Sequence, residues 1–225
     1  MNVFTQKVCL KKQEKIIVKI KEKEDLVSES LVGLRHPFLA EIYGVKKQKG
    51  YTLVAEELVR GISLDGILRG KGLPLGWENE FNVKEIAGIG IQLCEAVEAL
   101  HNQTPPILHC DIKPENILLT SRAPIRIKLI DCDDGVFFSP NTIYAHSYGT
   151  PGFAAPEQHT AQPLTFGTDI YGIGRTLEFL LYGACFTHTS RCRKLQGIIH
   201  RACNKKQENR YLTVMELMNE LEKCR

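Results

Sequence analysis

The hydrophobic period of this chain changes once, near Glu57 to Gly61, and that change limits the folds open to it. Before it, apolar and β-branched residues tend to alternate. Lys15-Ile-Ile-Val-Lys-Ile-Lys21 reads as a strand. Leu39-Ala-Glu-Ile-Tyr-Gly-Val45 and Tyr51-Thr-Leu-Val-Ala55 are two further strand-like runs, joined by a polar turn from Lys46 to Gly50. A short helix is predicted over Asp25 to Leu34, closed by His36-Pro37. This part reads as a small antiparallel sheet with one helix. Beyond the change, apolar residues recur at helical spacing. Ile86, Ile89, Leu93, Val97 and Leu100 mark one amphipathic helix. Ile170, Ile173, Leu177 and Leu181 mark a second, with Thr168 as its cap. Val214, Leu217, Met218 and Leu221 mark a third, which Thr213-Val-Met-Glu216 opens as a capping box. Two short strands, Ile117 to Leu119 and Ile125 to Ile130, lie between the first and second helices.

Of the 225 residues 43% are hydrophobic and 24% charged, enough to bury a sizeable core. The net charge of +3 is mild. Lysines between Lys11 and Lys23 are interleaved with Glu14, Glu22 and Glu24, the pattern of a solvated strand surface, so no nucleic-acid partner is expected. No apolar stretch approaches the roughly 18 residues of a membrane span, and no membrane association is expected. The eight cysteines form no CxxC pair and fit no zinc motif. With no apolar signal-peptide core at the N-terminus, a reducing, cytoplasmic setting is expected. The oligomeric state is left open.

Between the first helix and the strand pair stands His109-Cys-Asp-Ile-Lys-Pro-Glu-Asn116, followed by Ile127-Lys-Leu-Ile-Asp-Cys-Asp133. Read alone, the first is a polar turn and Asp131 a turn former at a strand end. Together they resemble the catalytic loop and metal-binding acid of eukaryotic-type protein kinases. The resemblance implies that Asp111 accepts the proton of the attacking hydroxyl and that Lys113 neutralises the migrating phosphoryl group. It makes Asn116 and Asp131 the magnesium ligands. Gly149-Thr-Pro-Gly-Phe-Ala-Ala-Pro-Glu157 resembles the segment that closes the kinase activation region and shapes the peptide-substrate groove. On that likeness Glu157 pairs with Arg210, and Asp169 holds the catalytic loop by its backbone. Small-molecule phosphotransferases generally lack the Ala-Pro-Glu segment, and Ala-Ala-Pro-Glu-Gln is similar to bacterial serine/threonine kinases.

The resemblance runs from about Val8 to the C-terminus. It implies an α+β, protein-kinase-like two-lobed fold, with an abbreviated antiparallel-sheet lobe over residues 1–57 and a mainly helical lobe over residues 58–225. The implied activity is transfer of the γ-phosphoryl group of ATP, with Mg²⁺, to a serine or threonine of a protein substrate. Lys19 would hold the α- and β-phosphates. Val8, Glu56, Leu58 and Leu118 would flank the nucleotide, with Glu56-Glu57-Leu58 as the hinge that bonds adenine through its backbone. Ala55 would control a rear pocket and leave it open.

Four positions depart from the family pattern. No glycine precedes Gly33, and Met1, Val3 and Gln6 stand where the resemblance puts glycines, whose bare backbone N–H groups would approach phosphates. Either the strand pair is truncated or the reading frame begins upstream. Val27 occupies the place of the helix glutamate that pairs with Lys19; Glu24 is the expected substitute and Glu29 lies on another face. Cys110 replaces the arginine that reads an activation-segment phosphate, which implies activity not gated by one. Ser139, Thr142, Tyr144, Ser147 and Thr150 remain as candidate hydroxyls. Asp131-Cys132-Asp133 replaces Asp-Phe-Gly and loses the aromatic plug and the flexible glycine. Because the losses cluster in the nucleotide half, the second reading is a catalytically impaired pseudokinase serving as a protein-binding module.

Overall fold

The computed structural model of the chain describes residues 4–5, 9–11, 14–78, 80–144, 149–184 and 190–225. Strands β1 (Phe4–Thr5), β2 (Cys9–Lys11) and β3 (Glu14–Lys21) precede helix α1 (Leu26–Ser30), then β4 (Ile42–Gln48) and β5 (Tyr51–Glu57). They form an antiparallel sheet ordered β1–β3–β5–β4, with β2 also paired to β3. Central β5 buries Thr52, Val54 and Glu56 on one face, the period-two signature of a strand covered on one side. Helix α1 is shorter than its sequence pattern. Asp25 caps it by accepting from Ser28 N at 2.9 Å, and the chain leaves the helix after Leu31. Val32 then bridges to Ile42, and Gly33 turns with φ +86°. The predicted strand from Leu39 starts three residues late, at Ile42, because Leu39 instead bridges Leu129 in the other half of the molecule.

The helical part begins with β6 (Ile62–Ser63) and α2 (Leu64–Leu68), followed by α3 (Val83–His101), β7 (Ile107–Leu108), β8 (Ile117–Arg122), β9 (Ile125–Leu129) and β10 (Val136–Phe137). It closes with α4 (Phe166–Ala184), α5 (Ser190–Ala202) and α6 (Val214–Glu222). Asn82 and Glu85 cap α3 reciprocally, Asn82 Oδ1 accepting from Glu85 N at 3.1 Å and Glu85 Oε2 from Asn82 N at 2.8 Å. The stripe Ile86, Ile89, Leu93, Val97 and Leu100 is fully buried against Ile170, Ile173 and Leu177 of α4 and Leu217 and Leu221 of α6. Gly90 permits this close approach. A Cβ there would lie 2.8 Å from Leu221 Cδ1 and 2.9 Å from Leu177 Cδ1.

Thr168 does not cap α4. The helix opens at Phe166, and Thr165 Oγ1 accepts from Gly167 N at 3.2 Å while Thr168 Oγ1 accepts from Thr165 N at 3.1 Å. The cap therefore lies three residues before the predicted one. At α6, Thr213 accepts from Glu216 N at 3.2 Å, but the Glu216 carboxylate returns to Leu212 N rather than to Thr213 N. The sheet and the helices meet at β9. Leu129 N donates to Phe38 O at 2.8 Å, Ala40 N donates to Leu129 O at 2.9 Å, and Lys128 Nζ lies 2.5 Å from Glu57 Oε2. No helix among the described residues is long and apolar enough to cross a membrane.

Candidate active site

The loop after β7 is held from below by helix α4. Asp169, fully buried, accepts from His109 N and Cys110 N at 2.9 Å each, and His101 Nε2 stands 2.9 Å from its Oδ2. Burial alone would raise this carboxyl. The His101 hydrogen bond and charge, His109 and the Cys110 amide outweigh that and hold it below its ordinary range. The clamp keeps Cys110 at φ +64°, a left-handed conformation that costs a non-glycine residue of order 1 kcal/mol or more. Gln158 adds a third restraint, its Nε2 donating to Cys110 O at 2.7 Å. Burial and the Asp169 charge push the Cys110 thiol well above its ordinary value, so it stays protonated and unreactive.

This loop brings Asp111, Lys113 and Asn116 together, and one residue from further along the chain joins them. Asp111 Oδ2 lies 2.6 Å from Lys113 Nζ and accepts from Asn116 Nδ2 at 3.0 Å. Asp111 Oδ1 accepts from Thr150 Oγ1 at 2.8 Å, and Lys113 Nζ donates to the same hydroxyl at 2.7 Å. Thr150, one of the candidate phosphorylation hydroxyls, is therefore bound inside the site. Ser147 and Val8 lie outside the described residues, as do Met1, Val3 and Gln6.

A second cluster lies behind the first. Ile130 N donates to Asn116 O at 2.9 Å, which ties the end of β9 to the loop and delivers Asp131 at φ +66° beside it. Lys19 on β3, 7% exposed, meets Asp131 Oδ1 at 3.0 Å, Glu56 Oε1 at 3.2 Å and Asp133 Oδ1 at 3.4 Å. Burial would lower the Lys19 amine, but the three carboxylates outweigh it and raise it above its ordinary range. Asp131 is lowered, because Lys19 overcomes the penalty of its burial. Asp133 is raised by burial and by the like charge of Asp131, although Lys21 Nζ stands 2.6 Å from it. Glu56 is raised by burial, which Lys19 only partly offsets.

Glu24 does not pair with Lys19. Its carboxylate lies 3.9 Å from Lys47 on the exposed side of the sheet, and Glu29 lies 2.9 Å from the same lysine. Nor does Ala55 stand at the rear of the cleft. Lys19 is registered against Val54, so residues two apart from Val54 share its face, and Glu56 occupies the rear position. The Glu56 side chain thus goes to Lys19, while Ala55 turns to the opposite face. Leu58, in the connection after β5, and Leu118, on β8 opposite Ser63, are both half-buried. Cys132, at the place of the family's aromatic plug, lines a pocket of about 20 Å³ with Leu31, Leu34, Leu39 and Leu129. Its thiol is pushed up to about 12 by burial and the Asp131 charge.

A further pair anchors the segment that carries Thr150. Arg210 Nη1 and Nη2 donate to Glu157 Oε1 and Oε2 at 2.6 and 2.9 Å, both side chains being withdrawn from solvent. This is the bidentate pairing expected between them. The sequence matches the protein kinase domain family over residues 3–223. The chain belongs to the protein kinase family. Among curated relatives, this kinase-family chain is 32% identical over 169 residues to myosin light chain kinase family member 4 of Homo sapiens, which covers 73% of this chain and 41% of that protein. It is 31% identical over 169 residues to myosin light chain kinase 3 of Rattus norvegicus, covering 73% of this chain and 20% of that one. A putative receptor protein kinase, ZmPK1 of Zea mays, is 32% identical over 161 residues, covering 68% and 19%. The chain thus spans less than half the length of each of these relatives. The crystal structure of the Mycobacterium tuberculosis PknI kinase domain superposes with a TM-score of 0.69 at 20% identity, covering 94% of this chain and 86% of that one. That match shows the kinase-like fold, a small antiparallel-sheet lobe on a helical lobe.

Sequence reasoning placed Glu56 in the hinge beside the base rather than against Lys19, and it missed Thr150 and Gln158 as members of the site. For Glu56 a signal existed: the alternation Thr52, Val54, Glu56 on the covered face of β5. Thr150 and Gln158 lie in loop and single-turn segments with no periodicity to read.

Proposed function

We propose that this chain transfers the γ-phosphoryl group of ATP to a serine or threonine hydroxyl of a protein. The observation that carries the reading is the knot of Asp111, Lys113, Asn116 and Thr150, set beside a strand-borne lysine and the acid Asp131. In this reading Asp111 orients the incoming hydroxyl and takes its proton at a carboxylate oxygen. Three donors fix the plane of that carboxylate, which serves positioning. Lys113 offsets charge on the phosphoryl oxygens, and Lys19 holds the other phosphates. The division into a nucleotide-holding lobe, residues 1–57, and a phosphotransfer lobe, 58–225, belongs to the same reading, with Leu58 and Leu118 flanking the base.

The donor set fits magnesium carried by the nucleotide. Among the described residues no three His, Cys, Asp or Glu side chains are gathered to hold a metal by themselves. Magnesium is commonly held by one or two protein oxygens and completed by phosphate and water. Asp131, whose side chain is 35% exposed, and Asn116, whose amide nitrogen is spent on Asp111, supply such oxygens. When bound, the ion neutralises phosphate charge.

The run Ala154-Ala-Pro-Glu-Gln158, similar to bacterial serine/threonine kinases, favours serine or threonine as acceptor. A labelled-phosphate assay on a general protein substrate, followed by phosphoamino-acid analysis, tests both parts. Turnover should fall roughly 10²- to 10⁴-fold in Asp111→Asn. Equal turnover in parent and variant would remove the proposal, and phosphotyrosine alone would remove its acceptor class. The pseudokinase reading is favoured by Val27, a buried apolar residue where the resemblance puts the glutamate that pairs with Lys19. It predicts no thermal shift with millimolar Mg-ATP, whereas the proposed reading predicts a shift that Asp131→Ala abolishes.

A further inference from the structure

A lysine that holds phosphates must itself be held, and none of the acids on or beside helix α1 does so. Glu29, the only acid within α1, pairs with Lys47, and Glu24 points to the same lysine. Asp25 is spent on the helix cap and on Lys21. The place that sequence counting gives to a helix glutamate is filled by Val27, a buried apolar residue.

The sheet supplies the missing carboxylate. In the β3–β5 ladder Lys19 faces Val54 and Ile17 faces Glu56, so Lys19 and Glu56 are diagonal neighbours on the covered face. Diagonal neighbours in an antiparallel pair stand within reach of long side chains. Their charged ends are 3.2 Å apart, with side chains 9% and 10% exposed. The other two partners of Lys19 have competing tasks. Asp131 is the half-exposed acid assigned to the metal, and Asp133 lies closer to Lys21, at 2.6 Å, than to Lys19, at 3.4 Å.

We infer that Glu56 is the positioning residue that holds Lys19 for the nucleotide phosphates, in place of any acid on α1. The inference rests on the proposed function, which makes Lys19 the phosphate-holding cation. It adds that the readiness of Lys19 is built into two adjacent strands joined by backbone hydrogen bonds. Displacement of α1 then leaves the lysine where it is.

Calorimetric titration of the folded chain with Mg-ATP tests this, with melting temperatures recorded for every variant. Glu56→Gln should weaken binding roughly tenfold or more, the range for removing one partner of a buried charge pair. Glu24→Gln and Glu29→Gln should each stay within about twofold, since their partners are exposed. With Lys19→Met already present, Glu56→Gln should add nothing, because a double-mutant cycle isolates the shared interaction. Glu56→Asp, which keeps the charge, should recover part of the loss, an outcome that a merely structural role does not predict. Glu56→Met, apolar and of similar length, serves if the glutamine variant does not fold. Glu56→Gln binding as tightly as the parent overturns the inference alone, as do additive losses for Lys19 and Glu56 or an equal loss in Glu29→Gln. A parent that binds no Mg-ATP overturns the proposed function and this inference with it.

Discussion

Thr150 contributes one hydroxyl, and that hydroxyl both donates to Asp111 and accepts from Lys113. It thereby links the Oδ1 of Asp111 to the amine that already meets Oδ2 at 2.6 Å, and fixes the angle between acid and amine. Replacing it should cost turnover more than nucleotide affinity. Thr150→Val is expected to lower kcat on the order of 10²-fold, the effect of a small misplacement at a reacting centre, with KM for ATP nearly unchanged. Thr150→Ser should keep most of the rate, and steady-state kinetics on the three proteins reads this directly. The neighbouring Cys110 has lost the cation that its place in the family carries. Its thiol is enclosed, and Asp169 and Gln158 hold the residue by its backbone N–H and carbonyl. Turnover is therefore expected to be unaffected by phosphatase treatment of the activation segment, measured as kcat before and after.

At the scale of elements, the catalytic loop is a passenger on α4, because one carboxylate of that helix carries two of its amides. The titration of Asp169 makes this visible in pH. Its folded value lies below the ordinary 3.8. Its contribution to stability is thus full above the unfolded value, near pH 4, and is lost as pH falls through the folded one. Urea midpoints of the parent should fall across that acid range. In Asp169→Asn the midpoint should be lower at neutral pH, and the part of the acid dependence due to this group should vanish. Gly61 offers a test of packing between elements. A Cβ there would meet the carbonyl oxygen of Leu119 at 2.7 Å, and backbone cannot step aside as a side chain does. Gly61→Ala should destabilise by about 1–3 kcal/mol in chemical unfolding. The clamp by Asp169 and the pairing of Glu157 with Arg210 were legible only through the resemblance, whose motifs number each of these residues. The α3, α4 and α6 stripes were legible from the residues themselves, because apolar side chains recur there at helical spacing. The partner of Lys19 was not, because counting along α1 looked for an acid on the nearest element, whereas a sheet brings Glu56 across from a strand 37 residues away in sequence. The boundaries of α1 and β4 were misread because Leu39 and Val32 spend their backbone on bridges that no local pattern announces.

Across the whole molecule, the bidentate pair of Glu157 and Arg210 joins the segment bearing Thr150 to the turn before α6. Arg210 also donates to Gly167 O at 2.9 Å and to Asn204 O at 2.7 Å, so one guanidinium gathers three stretches of chain. Leaving Glu157 buried without it should cost about 3–5 kcal/mol, read as a lower urea midpoint in Arg210→Ala. The same wiring has a consequence for anyone cutting the gene into pieces. A fragment stopped short of residue 210 would keep every atom of the phosphotransfer loop and yet leave its threonine on a slack tether. Such a fragment is expected to be inert for reasons of mechanics rather than chemistry.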